Sequence, residues 1–286
     1  MTIRTRMVLA VMAATIAGTI GPARAQATDS FGGTTYDILG IELGASLEEA
    51  RAGYRGSRDL ETRENLFGAA NNATGAQFEL DFVDELSTPN SPVAEEEAND
   101  RIEVRLSTPE TDGRVLQIQR SFDRPRVGDP INAATFRQSL IEKYGDPSFD
   151  GGAYLVWLHD ESGAKITVPD YPISSGGLTG QSLVEMRLGE LPVCWKTLTP
   201  LEGPRGVSFA RRASRYYFQS SRRDALEGCN GGLAIVLQEQ DGALVSASFL
   251  AVDNRLLQED QAKMDARVVQ ELTNDPDPQT GAQPEL

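Results

Sequence analysis

The sequence predicts an α+β fold in which an antiparallel sheet is packed by a few helices. Predicted helices are few and grouped, whereas predicted strands come in runs joined by short turns, which is typical of α+β architecture. A helix followed by strands occurs twice, around residues 40–122 and 132–188, which suggests two related units sharing one sheet. With 286 residues, of which 40% are hydrophobic, the chain is long enough to bury a sizeable core.

The first unit begins with a capping box. Ser46 and Glu49 have the spacing at which each side chain satisfies the other's free backbone N–H, which predicts a helix from Ser46 to about Tyr54. A second helix is expected around residues 60–67, ending at Gly68. Three later segments are expected as strands, the last two forming a hairpin: residues 78–82, 102–106 and 114–122.

The second unit repeats this order. Asn132 can cap a helix over residues 133–144, which Gly145 would end. An apolar strand follows at residues 153–158 and turns into residues 165–168. The remaining expected elements are strands at 183–188, 216–219, 233–238 and 244–252, and a closing helix at 255–272.

The N-terminus has the features of a secretory signal peptide. Arg4 and Arg6 precede an apolar run over residues 7–20, and the small residues Ala23 and Ala25 flank Arg24. This order predicts export, with cleavage after Ala25 and a periplasmic or secreted destination. No later stretch is apolar enough for a membrane span.

These signals divide the chain into four segments. A signal peptide (1–25) precedes a helix-then-strands region (28–170). Antiparallel strands and a C-terminal helix (181–272) are expected to be continuous with that region, and a disordered tail (274–286) follows.

The charge is strongly negative. The chain carries 27 basic and 42 acidic residues, a net charge of −15, and losing the signal's three arginines leaves −18. Such a surface repels nucleic acid, so no nucleic-acid partner is expected.

The two cysteines, Cys194 and Cys229, are predicted to form one disulfide, because an even pair in an oxidising compartment is most simply bonded. Their spacing is not that of a redox C-x-x-C motif, and without neighbouring histidines they make a poor zinc site.

Catalytic signals are weak. His159 is the only imidazole, and it is expected to be exposed because it lies at the end of a predicted strand, beside Asp160 and just before a turn. A Ser-His-Asp triad would have to use it, but the sequence contains no Gly-x-Ser-x-Gly elbow. Asp81 with Asp84 or Glu85 could imitate a glycosidase pair, but chance pairs are expected among so many acids. No catalytic residue, cofactor or metal site is predicted.

A basic aromatic stretch reverses the charge locally between the two cysteines. It is the predicted interaction surface, and comprises Arg205, Arg211, Arg212, Arg215, Tyr216, Tyr217, Arg222 and Arg223. Such a stretch could bind an envelope protein or an anionic ligand, or balance the chain's own acidic face through ion pairs.

The segment GIELGASLEE, residues 40–49, resembles the Gly-x-x-Leu-Gly-x-(Ser/Thr)-x-Glu-Glu signature of small bacterial envelope proteins of the SmpA/OmlA and beta-lactamase-inhibitor-like type. The later LIEKYGDP, residues 140–147, is similar to the end of a helix in the same families. This resemblance implies a helical pair on an antiparallel sheet and a role in binding proteins or assisting envelope assembly.

The sequence therefore predicts an exported, non-catalytic binding or envelope-assembly module. Two alternatives stay open: a secreted hydrolase that uses His159 or a carboxylate pair, and an inhibitor of a secreted enzyme.

Overall fold

The computed structural model describes residues 31–71, 74–89, 99–123, 129–167, 207–208 and 229–273. The first half contains β1 (Asp37–Ile38), β2 (Ile41–Glu42), α1 (Leu47–Gly53), β3 (Glu61–Ala70), β4 (Gln77–Ser87), β5 (Asn99–Leu106), a single-turn 3-10 helix (Pro109–Thr111) and β6 (Val115–Asp123). The second half contains α2 (Ala133–Tyr144), β7 (Phe149–Asp150), β8 (Tyr154–His159), β9 (Val207–Ser208), β10 (Gly231–Gln240), β11 (Ala243–Asp253) and α3 (Asn254–Thr273). None of the described helices is both long and apolar enough to cross a membrane.

One sheet runs through the fold in the strand order β7-β8-β10-β11-β6-β5-β4-β3-β9. All neighbours in it are antiparallel except β3 and the two-residue β9. The strands after α1 pair in chain order, and so do those after α2 that lie between β7 and β11. These two runs meet at their last strands, β6 and β11. The predicted α+β class is confirmed, with the sheet dominating over the helices.

The helices α1 and α2 and the small β1–β2 hairpin cover one face of the sheet, here called the α1/α2 face. Its core takes alternate residues from both runs, among them Val104 and Ile118 from the first and Trp157 and Ile235 from the second. Trp157 is 1% exposed, and its indole N–H donates to the carbonyl of Gly145 at 2.9 Å, which joins the end of α2 to the sheet. The larger hydrophobic core therefore spans both runs.

The opposite face, here called the α3 face, is covered at one end by α3. Leu257, Met264 and Val268 of this helix pack in a second core with Phe67 and Phe78 of β3 and β4. Although α3 follows the second run in sequence, it therefore packs on the first. The buried carboxylate of Asp260 fixes α3 to the 3-10 helix, since it accepts hydrogen bonds from the hydroxyls of Thr108 and Thr111.

Local signals predicted most elements correctly. The capping box is present, with Ser46 Oγ accepting from Glu49 N at 3.2 Å and Ser46 N donating to the Glu49 carboxylate at 2.9 Å. The Asn132 side chain accepts from Thr135 N at 2.9 Å and begins α2 as expected. Of the strand expected over residues 165–168, the structure describes 165–167, and these form only a single bridge, between Lys165 and His159.

The helix expected at residues 60–67 is wrong, because this segment belongs to β3. Phe67 and Ala69 are buried on the α3 face, whereas Glu64 and Leu66 are exposed on the other. This period of two suits a strand, and pairing with β4 along ten residues of β3 overrides the local helical preference. The strands expected at 183–188 and 216–219 lie outside the described residues.

Candidate functional site

The single histidine, His159, is buried at the end of β8, with only 4% of its surface exposed. Its Nδ1 lies 2.9 Å from the carbonyl oxygen of Gly163, and its Nε2 lies 2.7 Å from Tyr36 Oη. Because a carbonyl can only accept, Nδ1 carries the proton and the Tyr36 hydroxyl donates to Nε2. The expected exposed turn histidine is therefore wrong: the Phe31 and Tyr36 rings lie 5.4 and 5.6 Å from the imidazole and cover it.

The groups beside His159 stabilise a turn. Asp160 accepts from the Ser162 hydroxyl at 2.6 Å, from Ser162 N at 2.9 Å and from Ala164 N at 3.0 Å. These hydrogen bonds lower the pKa of the Asp160 carboxyl, and the bond from the Ser162 hydroxyl has the largest effect. Burial raises the pKa of the Tyr36 hydroxyl, which therefore stays protonated as the donor to His159. Both ring nitrogens are thus engaged, and the geometry is that of a structural histidine.

The acidic residues that could imitate a glycosidase pair are divided between the two faces of the sheet. Asp81 is exposed on the α1/α2 face, opposite Leu66. A bulge in β4 shifts the register so that Glu85 pairs with Arg63 and Asp84 is left out of the ladder. Asp84 and Glu85 are consequently buried together on the α3 face, 1% and 6% exposed.

These two carboxylates belong to an ionic cluster that spans three strands. Arg105 Nη1 and Arg63 Nη2 lie 2.8 and 2.9 Å from the same oxygen of Glu85. Arg105 Nη2 also lies 2.7 Å from the Glu103 carboxylate, and Asn65 donates to Asp84 at 3.1 Å. Because buried carboxylates require such partners, the arrangement has a sufficient structural explanation in holding β3, β4 and β5 together.

A polar area lies next to this cluster on the α3 face. Strand register places Arg101, Ser121 and Ser248 in one row across β5, β6 and β11. In the rows on either side, Glu103 is opposite Gln119, and Asp123 is opposite Ser246. Gln238 of β10 extends the last row and accepts from the Ser246 hydroxyl at 3.0 Å. All of these side chains are exposed or half-buried, and we call them the open polar face.

The sequence could not reveal this face, because serine and glutamine at alternate positions are ordinary in half-buried strands. Its rows exist only because β6 pairs with β11, and no local signal predicts that pairing.

The predicted interaction surface, from Arg205 to Arg223, lies outside the described residues apart from Val207–Ser208, which is β9 at the edge of the sheet. Cys194 also lies outside them, so its disulfide with Cys229 stays a prediction. Cys229 is buried, 1% exposed, and its sulfur accepts from Gly231 N at 3.4 Å. The predicted signal peptide and tail lie outside the described residues too.

Within the part of the chain that the structure describes, no group of three or more His, Cys, Asp or Glu side chains is placed to hold a metal ion. Comparison with protein-family models, with curated proteins and with solved structures finds no match.

Proposed function

We propose that the mature chain is an exported, non-catalytic binding module that contacts a protein partner through the open polar face. The supporting observation is the row of Arg101, Ser121 and Ser248 across the central strands β5, β6 and β11, all exposed or half-buried. Asp123 and Ser246 lie on one side of this row, and Glu103 and Gln119 lie on the other, where the β11 position is the half-buried Leu250. The same face is apolar and covered where α3 lies on it.

The chemistry of this face suits protein recognition. It combines a cation, Arg101, with the anions Glu103 and Asp123 and with neutral groups that both donate and accept. Protein interfaces use hydrogen-bonding groups in this way, at about one hydrogen bond per 100–200 Å². These groups lie on hydrogen-bonded strands of the sheet, which hold them in fixed positions and so lower the entropy cost of binding.

The order of elements supports an origin from two related units. Each unit would be a helix followed by a meander of four strands, α1 with β3–β6 and α2 with β7, β8, β10 and β11. The resemblance of residues 40–49 and 140–147 to envelope proteins is the reason for proposing a partner in the envelope. An inhibitor of a secreted enzyme would use the same face with another partner, whereas His159 gives the hydrolase alternative no support.

Site-specific photocrosslinking in cells tests the proposal. A photoreactive residue replacing Ser248 should give a discrete adduct with one protein, and Arg101→Glu on the same face should abolish it. A photoreactive residue replacing Gln138, which is exposed on α2, is the matched control and should give no such adduct. Equal adducts from both positions, or an adduct insensitive to Arg101→Glu, would mean that this face is merely solvated.

A further inference from the structure

An open cavity of about 390 Å³ lies where the chain passes from α1 to β3. Its lining is almost entirely from one short stretch of sequence: Arg51, Tyr54, Gly56, Ser57, Arg58, Asp59 and Leu60. Tyr54 and Leu60 pack against the larger core, so the cavity belongs to the α1/α2 side of the molecule. It is therefore separate from the open polar face.

The cavity wall is held in place by the backbone. The Tyr54 ring folds back over Gly56 so closely that an added Cβ at Gly56 would lie 1.9 Å from Tyr54 Oη. Arg58 Nη2 donates to the carbonyl of Pro89 at 2.6 Å, which fixes the guanidinium. Burial raises the pKa of the Tyr54 hydroxyl, so the group stays a hydrogen-bond donor. The site is thus formed without a ligand.

The charge of the cavity is unusual for this chain. Among the described residues, neither Arg51 nor Arg58 makes an ion pair, whereas Arg63, Arg105 and Arg120 all do. The cation Arg51 is explained by its place in the last turn of α1, where the helix dipole favours it. Arg58 lies beyond the helix, and its buried Nη1 has no hydrogen-bond acceptor among the residues that the structure describes.

An unpaired, partly buried guanidinium is costly, and a charged oxygen acceptor would offset that cost. Asp59 also lines the cavity, and within the described part of the chain it forms no ion pair with either arginine. The two arginines and this one carboxylate leave the described lining with an excess positive charge. In a chain of net charge −15 this excess stands out from the surface around it. The volume is in the range of small-molecule sites.

We propose that this cavity binds a small molecule through a carboxylate or phosphate group, held by Arg51 and Arg58 with the hydroxyls of Tyr54 and Ser57 as further donors. A carboxylate and a phosphate both present neighbouring oxygens that can accept two hydrogen bonds from one guanidinium. The proposal is independent of the binding function assigned to the open polar face, because no residue is shared between the two surfaces.

Calorimetric titration of the mature chain at constant ionic strength tests the proposal, with inorganic phosphate and glutarate as separate probes. We expect saturable binding of one equivalent of at least one probe, and the tighter probe identifies the group that the site prefers. Arg58→Gln should weaken binding by about tenfold or more, and Arg51→Gln by about threefold or more. Arg51 is exposed, so its variant provides the test if Arg58→Gln does not fold.

The matched control is Arg137→Gln, which removes an equal charge from α2, where Arg137 pairs with Asp150. This variant should leave the affinity within about twofold of the unmodified chain. If neither probe binds saturably, the proposal is wrong. It is also wrong if Arg137→Gln weakens binding as much as the cavity variants do, because the affinity for the anions would then depend only on the net charge of the chain.

Discussion

The carboxylate of Asp260 is expected to be the strongest single attachment of α3 to the rest of the fold. Asp260 is completely buried and accepts from Thr108 Oγ1 at 2.6 Å, from Thr108 N at 3.1 Å and from Thr111 Oγ1 at 2.5 Å. These donors belong to the 3-10 helix and the residue before it, between β5 and β6. The contact therefore joins the end of the second run of strands to the first run.

The expected loss follows from these three donors. Asp260→Ala would leave all of them buried without an acceptor, at about 1–3 kcal/mol each before relaxation. Since the two hydroxyls can rotate toward other acceptors, we expect the free energy of unfolding to fall by about 3–5 kcal/mol. Asp260→Asn keeps one acceptor oxygen but loses the charge, so about 2 kcal/mol is expected.

Urea unfolding followed by far-ultraviolet circular dichroism measures these losses. The control is Glu259→Ala, one residue earlier, which removes an exposed carboxylate whose oxygen lies 2.7 Å from Lys263 Nζ. Exposed pairs contribute little, so a loss below about 0.5 kcal/mol is expected there. If Asp260→Ala costs no more than Glu259→Ala, α3 is held by its apolar contacts alone and the argument fails.

Three further predictions concern the sheet and the His159 turn. A Cβ at Gly232 would lie 1.9 Å from a carbonyl oxygen of β8, so Gly232→Ala should cost more than about 2 kcal/mol in urea unfolding. Gly68→Ala, where nothing lies within 4 Å, should change the stability by less than about 1 kcal/mol, and equal losses would contradict this. Tyr36→Phe keeps the ring but leaves the His159 Nε2 without its donor, so the same assay should give a loss of about 1–2 kcal/mol; an unchanged midpoint would show that the bond contributes nothing. The lowered pKa of Asp160 contributes stability above the ordinary carboxyl pKa of 3.8, and this contribution is lost as the pH falls through the lowered value. Asp160→Asn should therefore flatten the acid limb of a stability–pH profile, and parallel profiles would refute this.

The sequence predicts the helices well because their signals are local. The starts of α1 and α2 are predicted from the capping residues Ser46 and Asn132, whose side chains bond to backbone N–H groups within one turn. Glu49 completes the capping box at α1. The strands of the two hairpins, β5–β6 and β10–β11, are also predicted. β5 alternates apolar with polar residues, whereas β10 contains a continuous apolar run, and a turn separates the two strands of each hairpin. The error in β3 arises where a polar, weakly patterned segment takes its structure from the pairing with β4.

The features that bear on function depend on contacts between residues distant in sequence. The sequence predicts an exposed turn position for His159, because no residue near it in sequence indicates that the distant Tyr36 hydrogen-bonds to it. The open polar face depends on the pairing of β6 with β11. The cavity beside α1 is built from neighbouring residues, but its excess of positive charge is visible only once the carboxylates of the described residues are placed.

The meeting of β6 with β11 also has a consequence for the order of folding. Strand β6 precedes β11 by more than a hundred residues, whereas β5 with β6 and β10 with β11 are joined locally. Closing the longer loop costs more entropy, so the two meanders are expected to form first and to join last. Until then, β6 is an edge strand with unpaired backbone groups, and edge strands of this kind promote aggregation. The folding chain is thus most vulnerable to self-association in the interval before its second meander pairs with the first.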